Sequence, residues 1–358
     1  MTRQAQLMKV SNYLRAPVLA SFVCVAGVLG TEAAFAESEA SQVSRISESG
    51  QHSELGRDWI EKMSHAMQNL NYAGTFVYLH GDEVETMKIF HSKLDGIEHE
   101  RLVSLNGEAR EIIRNADSVV CIWPGSKSVI VSKAQPRTPF PTFDPQQLSE
   151  LERLYEFRQN GTTRVAGRLA RVIDIAPRDS YRYGYRLWVD AETFLLLRSS
   201  MSDLDGKIVE QVMFTDVKYP ERMPLEMFNA SITGKEHKWL SNSSMIVPAE
   251  PAPEADIPGI VELDLPDGFE VDSDKITPVG GTDFTVRRLM YSDGLASLSV
   301  FIASAEDQSA GGILHGSSSM GGVHAFGVMR GQWHATVVGE VPLATVKMLA
   351  ESLRISTR

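Results

Sequence analysis

The sequence predicts an α+β protein with two domains, each built on an antiparallel sheet, and three observations support this fold class. An apolar stripe of helical period lies near the N-terminus, short strand-like runs separated by turn pairs follow it, and a Pro-rich stretch interrupts the composition near residue 250. A chain of 358 residues is also longer than one hydrophobic core usually supports. The predicted boundaries are a signal peptide at 1–36, a mobile leader at 37–52, a large domain at 53–246, a Pro-rich linker at 247–258 and a small domain at 259–358.

The first 36 residues have the pattern of a secretory signal peptide. Arg3, Lys9 and Arg15 precede an apolar run, and Ala34-Phe35-Ala36 forms a small-x-small cleavage site. The apolar run has about 15 residues, fewer than the roughly 20 that a membrane-spanning helix needs. We therefore expect export to the periplasm and cleavage after Ala36.

An amphipathic helix is predicted at the start of the large domain. Leu55, Trp59, Met63, Met67 and Leu70 recur every three or four residues, which places them on one broad apolar face. Such a face is stable only when it packs against another element, and the strand-rich region that follows supplies the candidate.

The region from Ala73 to Ser132 is predicted to be an antiparallel meander. Its strand-like runs are separated by turns at intervals too short for crossover helices. The predicted turns are Gly81-Asp82, Asp95-Gly96, Asn106-Gly107, Asn115-Ala116-Asp117 and Pro124-Gly125.

Helices and strands are also predicted in the rest of the chain. In the large domain these are a helix from Gln146 to about Phe157 and strands at Arg164–Ile175, Tyr183–Met201 and Ile208–Tyr219. In the small domain they are a strand near Val261–Leu265, hairpins turning at Ser292-Asp293-Gly294 and Arg330-Gly331, a flexible Gly- and Ser-rich loop at Gly311–Gly322, and a helix opened by Pro342.

The composition and motifs predict a binding protein that is not an enzyme and uses no cofactor or metal. None of the nine histidines lies within five residues of another, and the sequence contains no Cys-x-x-Cys, phosphate-cradling loop or serine-hydrolase motif. The formal net charge of −11 disfavours nucleic acid as a partner. Cys121 is the only cysteine after signal cleavage and lies in an apolar run, so we expect it to be a buried core residue.

Methionine and aromatic residues of the large domain are candidates to line an apolar ligand cavity. Unbranched Met and large aromatic side chains adapt well to acyl chains, but they fill ordinary cores equally well, and both interpretations stay open. The candidates are Trp59, Met63, Met67, Phe76, Tyr78, Met87, Phe90, Trp123, Trp188, Phe194, Met213 and Phe214.

Arginines between residues 164 and 186 are candidates to contact an anionic head group or an acidic peptide. The planar guanidinium group suits carboxylate and phosphate, but a solvated strand face paired with Asp and Glu explains the same pattern. The candidates are Arg168, Arg171, Arg178, Arg182 and Arg186, with Arg164 at the edge of the group.

Several stretches resemble the MucB/RseB family of periplasmic regulators of envelope-stress sigma factors of the AlgU/sigma-E type. The resemblance extends over nearly the whole chain after the signal peptide, in the expected order, with one departure at Phe326, where we expect a tyrosine. The matching stretches include Tyr72-Ala73-Gly74-Thr75-Phe76-Val77-Tyr78, Thr86-Met87, Glu100-Arg101-Leu102, Leu105-Asn106-Gly107, Ser292-Asp293-Gly294-Leu295-Ala296 and Thr336-Val337-Val338-Gly339-Glu340-Val341-Pro342.

This resemblance implies a large domain similar to lipoprotein carriers, an incomplete antiparallel β-barrel wrapped over helices, and a smaller C-terminal sheet with a helix. It also implies binding to the periplasmic segment of a membrane anti-sigma factor of the MucA/RseA type. The bound segment would be shielded from regulated proteolysis and released by lipopolysaccharide or lipoprotein acyl chains. The alternative is a periplasmic lipid or lipoprotein carrier without a signalling partner, and self-association into a homo-oligomer stays open.

Overall fold

The computed structural model describes residues 56–132, 140–141, 143–231, 238–241, 259–278, 285–305 and 314–356. The predicted signal peptide, leader and linker lie outside the described residues. The description starts with a helix over residues 56–69 (α1), which confirms the helix predicted from the apolar stripe. Ile60 and Met63 are almost completely buried on its inner face, whereas Trp59 and Met67 pack against the same core and are partly exposed.

The large sheet has twelve strands in the order β12-β6-β5-β4-β3-β2-β1-β11-β10-β9-β8-β7. Every neighbouring pair is antiparallel except β6 and β12, which are parallel. The strands are β1 (Tyr72–His80), β2 (Glu83–Leu94), β3 (Ile97–Ser104), β4 (Glu111–Arg114), β5 (Val119–Trp123), β6 (Ser128–Ser132), β7 (Tyr155–Val165), β8 (Arg168–Pro177), β9 (Gly184–Asp190), β10 (Leu196–Ser202), β11 (Ile208–Lys218) and β12 (Lys238–Ser241).

The first six strands confirm the predicted meander, because each predicted turn connects two consecutive strands. The core of the sheet forms on the face that carries Phe76, Ile89 and Leu187, all of them buried. Helix α1 and a second helix, α2 (Leu148–Leu154), contribute buried side chains to this core. The sheet ends at β7 and β12 and is not closed into a barrel, so the predicted fold class of the large domain is confirmed.

The predicted helix from Gln146 to about Phe157 is wrong at its C-terminal end. Helix α2 stops at Leu154, and Tyr155 already has extended backbone angles of φ −130° and ψ 152°. Tyr155 and Phe157 are both fully buried, which is the alternation of a strand, and they pair with β8. From Tyr155 to Phe157 the apolar side chains recur every two residues, as in a strand. The leucines of α2 recur at helical spacing immediately before them and concealed this change of period.

Two of the predicted long strands are each interrupted by a turn. Ala166 and Gly167, with φ values of 48° and 78°, form the turn between β7 and β8 inside the predicted strand at 164–175. Residues 191–195 form the turn between β9 and β10 inside the predicted strand at 183–201. That turn is held by the Asp190 carboxylate, which accepts hydrogen bonds from the backbone N–H groups of Glu192 and Thr193.

The C-terminal part of the chain forms a six-stranded antiparallel sheet with one helix packed on it, which confirms the fold class predicted for the small domain. The sheet order is β14-β15-β16-β19-β18-β17, and β13 and β20 form a separate pair. The elements are β13 (Ile260–Glu262), β14 (Glu270–Pro278), β15 (Thr285–Ser292), β16 (Ser297–Ser304), β17 (Gly316–Met320), β18 (Val323–Arg330), β19 (Trp333–Gly339), α3 (Leu343–Ser352) and β20 (Arg354–Ser356).

The two predicted hairpins and the final helix are confirmed, and three strands were not predicted. Strands β14 and β20 are missing from the prediction, and β17 occupies part of the stretch predicted as a flexible loop. Gly316 to Met320 pair with β18 through the backbone, which does not require apolar side chains. Hydrophobic patterning therefore gives no signal for this edge strand.

Candidate functional site

Most of the predicted cavity residues converge on the core of the large sheet. The exceptions are Phe90, Trp123, and Trp188 and Met213, which pair with Arg198 on the opposite strand face. Phe90 lies on the other face of β2 with the Lys88 ammonium group 5.0 Å from its ring, and Trp123 is partly exposed at the end of β5. The buried residues of the group are Met63, Phe76, Met87, Trp188 and Phe214, and the partly buried ones are Trp59, Met67, Tyr78, Phe194 and Met213.

Aromatic rings pack directly against each other in this core. The Phe76 ring lies 5.3 Å from that of Phe140 and 5.9 Å from that of Phe214, and the rings of Phe140 and Phe214 stack at 5.4 Å. These spacings are those of closely packed aromatic pairs. Phe76 and Phe214 therefore lie together in this core, and the role of the predicted residues as a ligand cavity stays a prediction.

The predicted arginines do not form one cluster, and most of them are paired within the protein. Arg168 pairs with Asp190 and Glu192, and Arg186 pairs with Asp174. Arg171 places its guanidinium carbon 5.5 Å from the Trp59 ring centroid. Arg178 donates to the Glu152 carbonyl, and the exposed Arg164 donates to that of Gly167.

Arg182 is the exception, because it is buried between the two sheets with 1% of its side chain exposed. Its Nε donates to Asp293 Oδ2 at 2.7 Å and its Nη1 donates to Asp179 Oδ2 at 2.5 Å, while Nη2 donates to the Asp267 carbonyl. The rings of Phe269 and Tyr155 lie 5.0 and 5.9 Å from the guanidinium carbon. Arg182 thus links the large sheet to the C-terminal sheet through a completely desolvated ion pair.

Hydrogen bonds on either side of Arg182 extend this contact. The Tyr155 hydroxyl donates to Asp293 Oδ2 at 2.9 Å, and the Thr345 hydroxyl donates to the Tyr181 carbonyl at 3.0 Å. The Tyr183 hydroxyl lies 2.8 Å from Nε2 of His324. Burial raises the pKa of Tyr155 well above its ordinary value, and the Asp293 carboxylate adds to this effect, so the hydroxyl keeps its proton.

An open groove of about 540 Å³ lies over strands β7–β11 on the face opposite the large core. We call it the Arg198 groove, because Arg198 lines it with its guanidinium carbon 4.0 Å from the Trp188 ring centroid. Arg158 and Arg186 also line it. Trp188 and Arg186 were candidates from the sequence pattern, but Arg158 and Arg198 were not. The last two are isolated in the sequence and become neighbours only through strand pairing.

His91 and His99, which flank the β2–β3 turn, have separate surroundings. His91 is fully buried, with Nδ1 2.8 Å from the Leu70 carbonyl oxygen and Nε2 3.2 Å from Glu98 Oε1. His99 instead lies beside the Phe228 ring at 5.6 Å. Within the described ranges, no group of three or more His, Cys, Asp or Glu side chains is arranged to hold a metal ion.

The Glu98–His91 contact predicts a loss of stability in acid. The hydrogen bond from His91 lowers the pKa of Glu98 below its ordinary value. A carboxyl group with a lowered folded-state pKa stabilises the fold above its unfolded pKa of about 4.3, and this contribution is lost as the pH falls through the folded-state pKa. We expect the Glu98→Gln variant to lose less unfolding free energy than the wild type between about pH 6 and pH 3, measured by urea denaturation. Equal losses in both proteins would contradict this assignment.

Comparison with known proteins decides the family. The model of the MucB/RseB N-terminal domain matches residues 56–232, and that of the MucB/RseB C-terminal domain matches residues 261–354. The sigma factor AlgU regulatory protein MucB of Pseudomonas aeruginosa is 31% identical over 303 residues, which cover 83% of this chain and 90% of that protein. The chain belongs to the MucB/RseB family. Another relative, the sigma-E factor regulatory protein RseB of Escherichia coli K12, is 27% identical over 296 residues, covering 82% and 89% of the two chains.

Solved structures of a MucB/RseB protein have the same fold. MucB in the complex structure of Pseudomonas aeruginosa MucA/MucB superimposes with a TM-score of 0.65 at 29% identity, covering 85% of this chain and 99% of that chain. A crystal structure of MucB in complex with MucA(peri) gives a TM-score of 0.63 at 28% identity, covering 84% and 99%. The family resemblance of the sequence is thus confirmed, and the relatives are named as regulatory proteins. Among the described residues, none of the helices has the length and apolar character of a membrane span.

Proposed function

We propose that this protein is a periplasmic negative regulator of an extracytoplasmic stress sigma factor. It binds the periplasmic segment of a membrane anti-sigma factor of the MucA type, shields that segment from regulated proteolysis and is released by lipid or lipoprotein signals. The observation that supports this proposal best is the likeness to MucB from its complex with MucA, because the match includes 99% of that chain and therefore both sheets.

Release by a lipid signal requires a specific thermodynamic relation between the two ligands. The lipid displaces the partner only if it prefers a site or conformation that is incompatible with the bound partner. The apolar residues around Phe76 and Phe214 are the proposed lipid contacts. Opening that core to an acyl chain requires the aromatic rings to separate, and in this proposal the rearrangement makes lipid binding incompatible with the bound partner.

The binding step is tested with the purified mature chain and the periplasmic fragment of the anti-sigma factor encoded beside it. We expect the two to co-elute in size-exclusion chromatography and the complex to dissociate when lipopolysaccharide is added. Before lipopolysaccharide is added, the protease that initiates signalling should cut the bound fragment more slowly than the free fragment.

The results of this test separate the regulator from the lipid carrier. Failure of the two proteins to bind at any accessible concentration would contradict the proposal and favour a carrier without a signalling partner. If the complex forms but the cleavage rate of the fragment is unchanged, the proposed binding is supported and the proposed shielding from proteolysis is contradicted.

A further inference from the structure

Arg198 lies in the Arg198 groove without a carboxylate partner among the residues that the structure describes. Its Nη2 donates to Gln211 Oε1 at 2.6 Å, and its guanidinium plane is next to the Trp188 ring. The neighbouring arginines are neutralised, since Arg158 pairs with Glu156 and Arg186 with Asp174. Among the described residues, Arg198 is therefore the arginine of the groove that forms no ion pair with a carboxylate.

This cation is also partly removed from water. The Nε atom of Arg198 is buried and has no hydrogen-bond partner in the described part of the chain. Burial lowers the pKa of Arg198, and the nearby Arg186 lowers it further. Removing an unpaired charge from water is costly, and proteins usually compensate for it with an opposite charge. An anion bound in the groove would supply that compensation.

The surroundings of Arg198 also favour an apolar group beside the anion. Leu204 and Ile208, with 57% and 44% exposure, line the groove and leave apolar surface open to solvent. The hydroxyl groups of Ser200 and Ser202 line the same groove and supply neutral hydrogen-bonding groups. Most ligand-binding grooves combine a few fixed polar groups with such apolar walls.

We propose that the Arg198 groove binds a peptide carboxylate flanked by an apolar side chain, and that this peptide belongs to the partner segment named under the proposed function, on which the inference rests. Arg198 pairs with the carboxylate, and Leu204 and Ile208 pack against the adjacent apolar side chain. The charge count favours a peptide over a phosphorylated lipid head group. The groove offers one guanidinium that forms no ion pair among the described residues. It also contains the carboxylates of Asp174 and Asp203, which would repel a group with several negative charges.

The test measures the affinity of the full mature chain for the periplasmic fragment in the wild type and in Arg198→Gln. Because the substitution removes the charged partner of the carboxylate, we expect Arg198→Gln to weaken binding by at least about tenfold. Arg164→Gln is the matched control, because Arg164 is exposed and donates to a turn carbonyl outside the groove. This control should bind like the wild type, and thermal unfolding should confirm that both variants are folded.

A second arm tests the groove without the partner. Two blocked tripeptides, Phe-Glu-Phe and Phe-Gln-Phe, are titrated while the indole N–H resonance of Trp188 is followed by NMR and assigned with Trp188→Phe. We expect the Glu peptide to shift this resonance in the wild type at lower concentration than the Gln peptide, and we expect Arg198→Gln to abolish the difference.

The two arms distinguish failure of the inference from failure of the proposed function. Equal fragment binding by wild type and Arg198→Gln, together with no preference for the Glu peptide, overturns the inference and leaves the proposed function intact. Absence of fragment binding by the wild type overturns the proposed function, and the inferred partner falls with it even if the Glu peptide binds. A Trp188 shift produced by phosphatidylglycerol vesicles but not by the Glu peptide overturns the inference in favour of a lipid phosphate.

Discussion

Replacement of Arg182 by methionine is expected to lower the free energy of unfolding by about 3–5 kcal/mol. Methionine fills a similar volume, but it removes the cation that balances Asp293 between the two sheets. The Asp293 side chain is fully buried and would retain only the Tyr155 hydroxyl and the backbone N–H groups of Leu295 and Ala296 as donors. An uncompensated carboxylate in this position is the main cost.

This expected loss is measured by urea denaturation of the mature chain, with Arg153→Met as the control. Arg153 pairs with Glu150 on α2, and both side chains are about 70% exposed, at 68% and 70%. Exposed pairs contribute little, so we expect the control to change stability by less than about 0.5 kcal/mol. Similar effects of the two substitutions would show that the Arg182–Asp293 pair does not stabilise the contact between the sheets.

Replacement of Gly74 by alanine is expected to destabilise the protein by about 2–3 kcal/mol because of overpacking. Alanine within a strand ordinarily stabilises a protein relative to glycine by roughly 0.5–1 kcal/mol. At Gly74, however, a Cβ atom would lie 2.4 Å from the Asp216 carbonyl oxygen and 2.9 Å from Cε1 of Phe214. The carbonyl belongs to paired backbone of β11 and the ring is fixed in the core, so neither can move cheaply.

The control for this prediction is Gly125→Ala in the β5–β6 turn. The nearest atom to a Cβ at Gly125 is Glu108 Oε1 at 3.9 Å, which is ordinary van der Waals contact. We expect this variant to stay within about 0.5 kcal/mol of the wild type in the same urea titration. If Gly74→Ala proved as stable as Gly125→Ala, the close approach of β1 to β11 would not constrain position 74.

Local patterns in the sequence predicted the elements whose signals are local. The stripe containing Met63 and Met67 predicted α1, and pairs such as Asp95-Gly96 predicted the hairpins of the meander. Strand β7 was missed because its apolar alternation at Tyr155 and Phe157 is short and adjoins a leucine-rich helix. Pairing with β8, not intrinsic preference, decides its conformation.

The turn between β9 and β10 was detectable in principle. The polar run Asp190-Ala191-Glu192-Thr193 interrupts the apolar residues on both sides, and an aspartate that begins such a run is a recognised turn signal. Phe194 in the left-handed region with φ 62° was not detectable, because an aromatic residue rarely adopts that conformation without tertiary support.

By itself, the sequence determined the class of each sheet, the family and the set of charged and aromatic residues from which sites can be built. The tertiary structure alone decided what those residues do. Arg182 was a candidate contact for an anion, but the fold pairs it with Asp293, 111 residues away. Arg198 had no local signal, and strand register places it on Trp188 with no ion pair to a carboxylate in the part of the chain that the structure describes. The reason is physical: the role of a charged group depends on its desolvation and its partner, and both are set by contacts between residues far apart in the chain.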